Sequence, residues 1–247
     1  MNPLFVGRTL IEHEQLDSTN SYALKVLRDQ NVPEGTVIYT PNQTSGRGQV
    51  NNEWYSKPAE SLTFSLVLYP HFLPATDQFR LNKAVSLALY DYLSERVDGV
   101  RIKWPNDLLI DGKKVAGILI ENQLKGTLIG QSIIGIGINL NQRRFPSNLP
   151  DATSLYRLTR EQYNPRQELQ KIFSYLEARY LQIRHSKRDL RADYFKVLHR
   201  NAGWFSYEDD RGPFKAVIVG VEPSGRLILR DQDGQQRPYA FKEVKFL

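Results

Sequence analysis

A run of extended segments joined by very short connections, between residues 100 and 140, constrains the fold more than any other feature of this sequence. The stretch KWPNDLLIDGKKVAGILIE, residues 103–121, contains the two-residue turn signal Asp111-Gly112 and an alternation of side chains typical of a β-hairpin. A further strand-like run follows from residue 127 to 140. Strands linked so closely form an antiparallel meander, so the sequence predicts a largely antiparallel or mixed sheet rather than a doubly wound parallel one.

Helix-like and strand-like segments on both sides of this meander make the predicted class α+β. Before it, we expect strands at 35–40 and 61–69 and helices at 21–28 and about 77–96. After it, Asn164-Pro165 opens a helix, with a capping residue followed by a proline in the first turn. The buried stripe of that helix is predicted to contain Leu169, Ile172, Phe173, Leu176 and Tyr180.

From Trp204 onward the pattern changes, because short strands alternate with turn signals at 210–213, 223–225 and 231–234. This pattern predicts a small all-β module packed on a larger α+β domain. We place the boundary near residues 201–203, which divides the chain into a domain of residues 1–202 and a module of residues 203–247.

The composition excludes several classes of protein. No apolar run approaches the roughly 20 residues that span a bilayer, and the first ten residues lack the apolar core of a secretory signal. The chain has no cysteine, which excludes disulfides, thiolate metal sites and thiol nucleophiles. A cytoplasmic enzyme with no membrane partner fits these features.

The net charge of +6 raises the alternative of a nucleic-acid-binding regulator, for which salt-sensitive binding to DNA would be expected. Much of the excess charge lies in one late segment that has the pattern of an amphipathic helix. A solvated helix face explains this charge better than a polyanion site, so we expect no nucleic-acid partner. The basic residues are Lys187, Arg188, Arg191, Lys196 and Arg200, and the apolar face contains Leu190, Tyr194, Val197 and Leu198.

Two polar stretches in the first quarter of the chain lie at element boundaries, where ligand-binding groups often occur. Asp17-Ser18-Thr19-Asn20 precedes a helix and, taken alone, is most simply an N-cap. In the loop of residues 43–54, Gly46 and Gly48 allow the backbone to approach a ligand, and Arg47 offers a guanidinium for phosphate or carboxylate. Trp54 could stack on a base. The alternative for this loop is a flexible surface segment.

A third polar stretch, Trp104-Pro105-Asn106-Asp107, has its counterpart in the sequence GIGIN at residues 135–139. A bulge or edge turn explains the proline but not the amide and the carboxylate that follow it. Neither standard nucleotide motif is present, because no third glycine follows Gly137 and no Lys-Ser/Thr pair follows Gly135. The neighbouring lysines 113 and 114 should point to opposite faces of a strand, so at most one faces a site lined by Gly117.

Taken together, these stretches resemble biotin protein ligases, the biotin–[acetyl-CoA-carboxylase] ligases. The resemblance covers nearly the whole chain through D-S-T-N, Q-T-x-G-R-G, K-W-P-N-D, K-V-A-G-I-L-I-E, G-I-G-I-N and a C-terminal β module. It implies a catalytic domain like that of class II aminoacyl-tRNA synthetases, followed by an SH3-like β-barrel. It also implies ATP, Mg²⁺ and biotin as ligands and a biotin carboxyl carrier protein or domain as the partner.

The resemblance assigns site residues position by position. The biotin contacts it implies are Ser18, Thr19, Asn20, Gln43, Arg47, Gly48, Gln49, Lys114 and Gly117. The ATP side would use Arg47, Trp54, Lys114 and Asn139. The metal ligands stay unassigned, beyond Mg²⁺ bound through the ATP phosphates.

The chemistry that the resemblance implies joins two anions, the biotin carboxylate and the α-phosphate of ATP, and so calls for positive groups that neutralise both. Lys114 and Arg47 are the predicted cations. Asp107 is predicted to orient or deprotonate the lysine of the carrier in the second step. Gly117 would keep the pocket floor low, and Trp104 is expected to be a packing residue.

Two positions depart from the family pattern, which often reads G-R-G-R-x-G: Gln49 replaces the second arginine and Asn51 replaces the later glycine. We expect these changes to affect how long the acyl-adenylate stays bound. Only sixteen residues precede Asp17, which predicts the ligase form without an N-terminal DNA-binding domain. A lipoate–protein ligase is the nearest alternative. The state could be monomer or homodimer.

Overall fold

Seven strands between Leu10 and Asn139 form one mixed sheet in this computed structural model, which describes residues 3–49, 52–185 and 189–247. The strand order is β1-β2-β5-β9-β8-β7-β6, and only the β1–β2 pair is parallel. A separate two-stranded ribbon pairs β3 with β4. The strands are β1 (Leu10–Glu12), β2 (Val37–Thr40), β3 (Gly46–Arg47), β4 (Glu53–Trp54), β5 (Ser61–Leu68), β6 (Val100–Lys103), β7 (Asp107–Ile110), β8 (Lys113–Lys125) and β9 (Leu128–Asn139). The predicted mixed sheet with its antiparallel meander is confirmed.

The meander follows the predicted turn chemistry. Asp111 and Gly112 alone join β7 to β8, and both have positive φ angles, +48° and +78°. Two such residues in succession make the turn whose twist matches an antiparallel pair, which explains why a glycine follows the aspartate. β8 then pairs with β9 so that Gly117 lies opposite Gly137.

Five α-helices in the described ranges accompany the sheet. They are α1 (Thr19–Asp29), α2 (Phe79–Ser94), α3 (Leu155–Thr159), α4 (Pro165–His185) and α5 (Arg191–Lys196). The predicted helices at 21–28 and 77–96 are confirmed with small shifts at their ends. Asn164 caps α4 as predicted, since its side chain accepts hydrogen bonds from the backbone N–H groups of Arg166 and Gln167 at 3.0 and 3.2 Å. All five residues of the predicted stripe of α4 are buried.

The two faces of the sheet have different partners because successive residues of a strand point to opposite sides. One face packs against α2 and α4 in the main hydrophobic core. The other packs against α1 through a smaller cluster that includes Ile38, Val67 and Ile133. Farther along the same face, the positions next to Val67 and Ile133 become Ser65 and Gly135, and the apolar cover ends there.

The late amphipathic segment forms a shorter helix than its pattern suggested, with six residues in α5. Its four predicted apolar residues are all buried, and Arg191 and Lys196 are exposed, as expected for a solvated basic face. Lys187 and Arg188 lie outside the described residues. No helix in the described ranges is long and apolar enough to cross a membrane.

The C-terminal module contains a five-stranded antiparallel sheet of order β13-β12-β11-β10-β14. Its strands are β10 (Phe205–Asp209), β11 (Gly212–Val221), β12 (Leu227–Asp231), β13 (Gln236–Tyr239) and β14 (Lys245–Phe246). This arrangement is consistent with the predicted small barrel. The exact division after residue 202 stays a prediction.

Candidate active site

A cavity of about 220 Å³ lies on the α1 face of the large sheet, beyond the N-terminal end of α1. Parts of the chain that are far apart in sequence meet there: the start of α1, the β3–β4 ribbon, strands β7 to β9, and the connection after β13 in the C-terminal module. The predicted site residues that line it are Ser18, Thr19, Asn20, Gln43, Arg47, Gly48, Gln49, Trp54, Asp107, Lys114 and Gly117. Lys114 and Arg47, the two predicted cations, therefore share one cavity.

Asn139 is the predicted residue that does not line this cavity. It is buried, its amide donates to the carbonyl of Thr153 at 3.0 Å, and its oxygen accepts from the amide of Gln142 at 2.9 Å. This side chain braces the segment that follows β9. Asn51 lies outside the described residues.

The floor of the cavity is made of glycines because other side chains occupy the space above them. A Cβ atom on Gly137 would lie 2.3 Å from Cε2 of Trp54, and one on Gly135 would lie 2.4 Å from Oδ1 of Asn20. Gly117 approaches the same indole, since a Cβ atom added to it would lie 3.1 Å from Cζ3. The spacing of GIGIN thus provides room for a tryptophan and an asparagine, which lie directly on the sheet.

A β-bulge determines which lysine faces the cavity. Counting back from Gly117 by strict alternation would place Lys113 on its side of β8. The pairing shifts, however, from Leu108 opposite Ala116 to Leu109 opposite Lys114, which leaves Val115 as an extra residue. This bulge brings Lys114 to the face of Gly117, and Lys113 is exposed elsewhere.

Lys114 and Asp107 form an ion pair at the cavity, with 2.7 Å between Nζ and Oδ1. The side chains are 38% and 22% exposed, so the pair is accessible to a ligand. Both residues belong to paired strands, with Asp107 opposite Gly117. The Lys114 ammonium also lies 5.6 Å from the centre of the Trp54 ring. A cation and a carboxylate on a rigid framework are therefore placed next to an aromatic surface.

Arg47 forms the second ion pair of the cavity, with 2.8 Å from Nη2 to Oε1 of Glu121. Its other terminal nitrogen donates to the hydroxyl of Ser21 at 3.3 Å. Arg47 lies in the short ribbon, whereas Glu121 lies on β8 and Ser21 on α1. Strand β8 and helix α1 thus hold a guanidinium that comes from the separate β3–β4 ribbon.

The start of α1 is both a helix N-cap and part of the cavity lining. Ser18 is the N-cap, and its hydroxyl accepts from the backbone N–H of Ser21 at 3.4 Å. Thr19 donates its backbone N–H to Oε1 of Gln43 at 3.0 Å. Thr19 and Asn20 are almost completely buried, and the same residues line the cavity. The N-cap and the polar pocket are therefore one structure.

Trp104 is a packing residue, as predicted, and it packs against the C-terminal module. It is 4% exposed, its indole N–H donates to the carbonyl of Gly225 at 2.9 Å, and its ring lies 5.4 Å from that of Phe241. Phe241 and Lys242 line the cavity together with Pro105 and Asn106. The buried tryptophan of K-W-P-N-D thus links the module to the residues that face the site.

Sequence reasoning missed Ser65, Glu121, Phe241 and Lys242. The first two carry a signal, because period-two alternation places Ser65 on the face of Gly135 and Glu121 on the face of Gly117. Phe241 and Lys242 carry none, since only the packing of the module brings them to the cavity.

Comparisons with known proteins give the same result along most of the chain. The profile of the biotin/lipoate A/B protein ligase family matches residues 12–139. The bifunctional ligase/repressor BirA of Bacillus subtilis is 34% identical over 251 aligned positions, which cover 95% of this chain and 73% of that protein. The biotin–[acetyl-CoA-carboxylase] ligase of Mycobacterium tuberculosis is 30% identical over 185 positions, covering 73% of this chain and 67% of that one.

Among solved structures, the biotin protein ligase from Aquifex aeolicus in complex with biotin and ATP superposes with a TM-score of 0.79. It is 26% identical, and the match covers 97% of this chain and 100% of the other. Both sheets described above are therefore included in the similarity. On its sequence, its fold and its relatives, the chain belongs to the biotin/lipoate A/B protein ligase family.

Proposed function

We propose that this protein is a biotin–[biotin carboxyl-carrier protein] ligase. It activates biotin with ATP to biotinyl-5′-AMP and transfers the biotinyl group to a lysine of a carrier protein or domain, such as that of acetyl-CoA carboxylase. One observation carries the proposal: Lys114 and Arg47, from separate segments, line one cavity with the polar start of α1. The relatives from Mycobacterium tuberculosis and Aquifex aeolicus, which are named as biotin ligases, support the choice of substrate.

In the first step, a carboxylate oxygen of biotin attacks the α-phosphorus of ATP, and the bond to the β-phosphate oxygen breaks to release pyrophosphate. The reactants repel each other unless nearby cations lower their charge and hold them in line. We assign this role to Lys114 and Arg47. The start of α1, with Ser18, Thr19 and Asn20, provides hydroxyl and amide groups for the polar head of biotin.

In the second step, the neutral amine of the carrier lysine attacks the carbonyl carbon of the mixed anhydride, and AMP leaves. Asp107 accepts a hydrogen bond from this amine and takes up or directs its proton. The contact of 2.7 Å with Lys114 keeps the carboxylate beside the cation that faces the leaving phosphate. Pro105 and Asn106 line the cavity next to it, and the Asn106 amide donates to the carbonyl of Ile118 at 2.6 Å.

The residues of the cavity fit a magnesium ion that arrives with the nucleotide. The described part of the chain has no group of three or more His, Cys, Asp or Glu side chains suited to a metal. Mg²⁺ commonly uses one or two carboxylates together with phosphate oxygens and water, and Glu53 is a carboxylate of the cavity lining that has no other assigned role. When bound, the ion neutralises charge on the phosphates.

The test is to incubate the purified protein with ATP, Mg²⁺, biotin and a biotin carboxyl carrier domain, and to measure the mass of the carrier. We expect one biotinyl group on one lysine of the carrier. A parallel reaction with lipoate and a lipoyl domain tests the nearest alternative. Modification of the lipoyl domain without modification of the biotin carrier would refute the proposed substrate. A cytoplasmic location remains the prediction from the sequence.

A further inference from the structure

Glu121 occupies a position on β8 that the chemistry above does not use. It pairs with Ile133 of β9 and lies on the same face of β8 as Gly117. The pairing of β8 with β7 ends at Gly117, so no β7 residue lies beside Glu121. Its side chain is 25% exposed and belongs to the rim of the cavity through its two partners. A carboxylate beside a site for anions is unfavourable unless cations or donors satisfy it. The contacts of its two oxygens therefore show how this negative charge is satisfied.

Each carboxylate oxygen of Glu121 holds a different candidate ligand-binding residue. Oε1 accepts from Nη2 of Arg47 at 2.8 Å, and Oε2 accepts from the amide of Asn20 at 2.7 Å. Nη1 of Arg47 lies 3.5 Å from Oε2, so the guanidinium faces both oxygens. One side chain thus fixes a loop cation and a helix amide relative to each other.

The contact with Glu121 also fixes which way the Asn20 amide points. Since a carboxylate only accepts hydrogen bonds, Nδ2 must face Glu121, and Oδ1 must face Ser65. The Ser65 hydroxyl lies 2.6 Å from Oδ1 and donates its one proton there, so it accepts from the hydroxyl of Thr19 at 2.7 Å. Thr19 in turn contacts Gln43 through its backbone N–H. A continuous hydrogen-bonded chain therefore connects Arg47 to Gln43 through Glu121.

We propose that Glu121 is a positioning residue for the first half-reaction: its carboxylate presents the guanidinium of Arg47 and the amide of Asn20 to the carboxylate end and the polar head of biotin. This inference rests on the proposed ligase function and adds to it a residue that acts through two others. The guanidinium has five N–H donors, so its edge away from Glu121 remains available to an anion. The ion pair with Glu121 thus orients Arg47 and still leaves N–H donors for a ligand.

The test compares Glu121→Gln with the wild-type enzyme and with the control Glu208→Gln. Glu208 forms an exposed ion pair with Lys245 at 3.1 Å, in the C-terminal module. In Glu121→Gln the amide oxygen still accepts from Asn20, but the charge that holds Arg47 is gone. We expect the KM for biotin in the adenylation reaction to rise about two- to fivefold, as the loss of a partly exposed ion pair suggests. Biotinyl-AMP should dissociate faster by a similar factor.

Two further readouts separate positioning from a merely structural role. The rate constant for transfer from preformed biotinyl-AMP to the carrier should not change, because Lys114 and Asp107 are untouched. Raising the KCl concentration should raise the biotin KM of the wild-type enzyme more than that of Glu121→Gln, since salt screens an ion pair that only the wild type has. Glu121→Asp, which is too short to reach both partners, should show the same rise in KM.

Several outcomes would overturn the inference: an unchanged or lower biotin KM in Glu121→Gln and Glu121→Asp, equal salt dependence in wild type and variant, or the same changes in Glu208→Gln. Melting temperatures measured for all variants identify a folding defect, and Glu121→Asp then carries the test. If the wild-type enzyme fails to modify the carrier, the proposed function fails. If the wild type is active and the Glu121 variants equal it, only the role of Glu121 fails.

Discussion

Carboxylates with basic partners occur in two settings in this molecule. Between α2 and α4, Glu168 accepts from the Tyr92 hydroxyl at 2.8 Å, from Arg96 at 3.0 Å and from Lys171 at 2.7 Å. In the cavity, Asp107 pairs with a single lysine at 2.7 Å. The Glu168 side chain is 5% exposed, whereas the Asp107 side chain is 22% exposed. The contacts are equally short, so distance does not distinguish the two settings.

Burial and the number of partners do distinguish them. Burial by itself raises the pKa of the Glu168 carboxyl, but hydrogen bonds from Lys171 and Tyr92 and the charge of Arg96 outweigh it, so that this pKa is lowered. The carboxylate is satisfied entirely by the protein, and it joins two helices. The cavity pairs remain open to solvent and to a ligand. We propose that the first cluster serves stability and that the cavity pairs serve substrate binding. Substitutions in the two settings should then have opposite effects.

Lys114→Ala should have the strongest effect, and it should act on catalysis. Removing the cation that we assign to the phosphate should lower the rates of both half-reactions by about 10²–10³-fold or more. The melting temperature should change little, because an exposed pair contributes little to stability. Adenylation and transfer are measured separately, with Lys113→Ala as the matched control on the other face of the strand. Normal formation of biotinyl-AMP by Lys114→Ala would contradict its role.

Asp107→Asn should come next, with a loss confined mainly to transfer. The amide keeps the shape of the side chain but cannot take up a proton, so transfer to the carrier should slow by about 10²-fold, with a smaller loss in adenylation. Single-turnover transfer from preformed biotinyl-AMP measures the step directly. The reverse order of the two losses would reject the assignment.

Glu168→Gln should give the opposite pattern. Replacing a buried carboxylate that has three donors should lower the free energy of unfolding by about 2–3 kcal/mol, because Arg96 loses its partner. The kinetic constants per folded molecule should stay within about twofold. Denaturant unfolding and the two half-reactions are the measurements. A large loss of activity without a loss of stability would contradict the division between the two settings.

The pH dependence of stability extends the same contrast. The folded-state pKa of Glu168 lies below its ordinary value of 4.5, so its contribution is fully present above that value. The contribution is lost as pH falls through the lowered folded-state pKa. The difference in unfolding free energy between wild type and Glu168→Gln should therefore be constant from pH 7 to about 5 and shrink at lower pH. A difference that grows with acidity would have the wrong sign.

Trp104→Phe should have the weakest effect on stability and activity. It tests whether a residue close in sequence to Asp107 can serve stability and not catalysis. The substitution keeps an aromatic ring beside Phe241 and removes the donor to the Gly225 carbonyl. We expect a loss of about 1 kcal/mol in stability, the usual value for one buried hydrogen bond. Rates should change less than about twofold. A loss of transfer as large as that of Asp107→Asn would place Trp104 in the catalytic group.

Much of the fold was predictable because it depends on local patterns. The turn at Asp111-Gly112, the cap at Asn164 and the stripe of α4 each follow from residues that are near one another in sequence. The bulge at Val115 was not predictable from alternation, which points to Lys113; the resemblance to a family indicated Lys114, and the bulge gives the physical reason.

The site residues were predictable where they lie in one continuous motif. They were not predictable where folding brings together residues that are distant in sequence. Ser18, Thr19 and Asn20 lie in one stretch, and the structure brings them to the cavity together with Arg47 and Lys114. Glu121 and Ser65 look like single polar residues in strands, and their importance depends on contacts with α1. Phe241 and Lys242 come from a module whose docking depends on Trp104 and Gly225, more than a hundred residues apart.

The surplus residue in β8 has a further consequence for how the chain tolerates change. If Val115 were deleted, β8 would pair with β7 without a bulge. Lys114 would stay on the face of Gly117, and only the end of the hairpin would move. If the bulge were lost with Val115 kept, the strand would change phase and present Lys113 instead. The two adjacent lysines are therefore not equivalent, because in that phase Val115 would take the position nearest Gly117 and Lys113 would lie two residues farther along the strand.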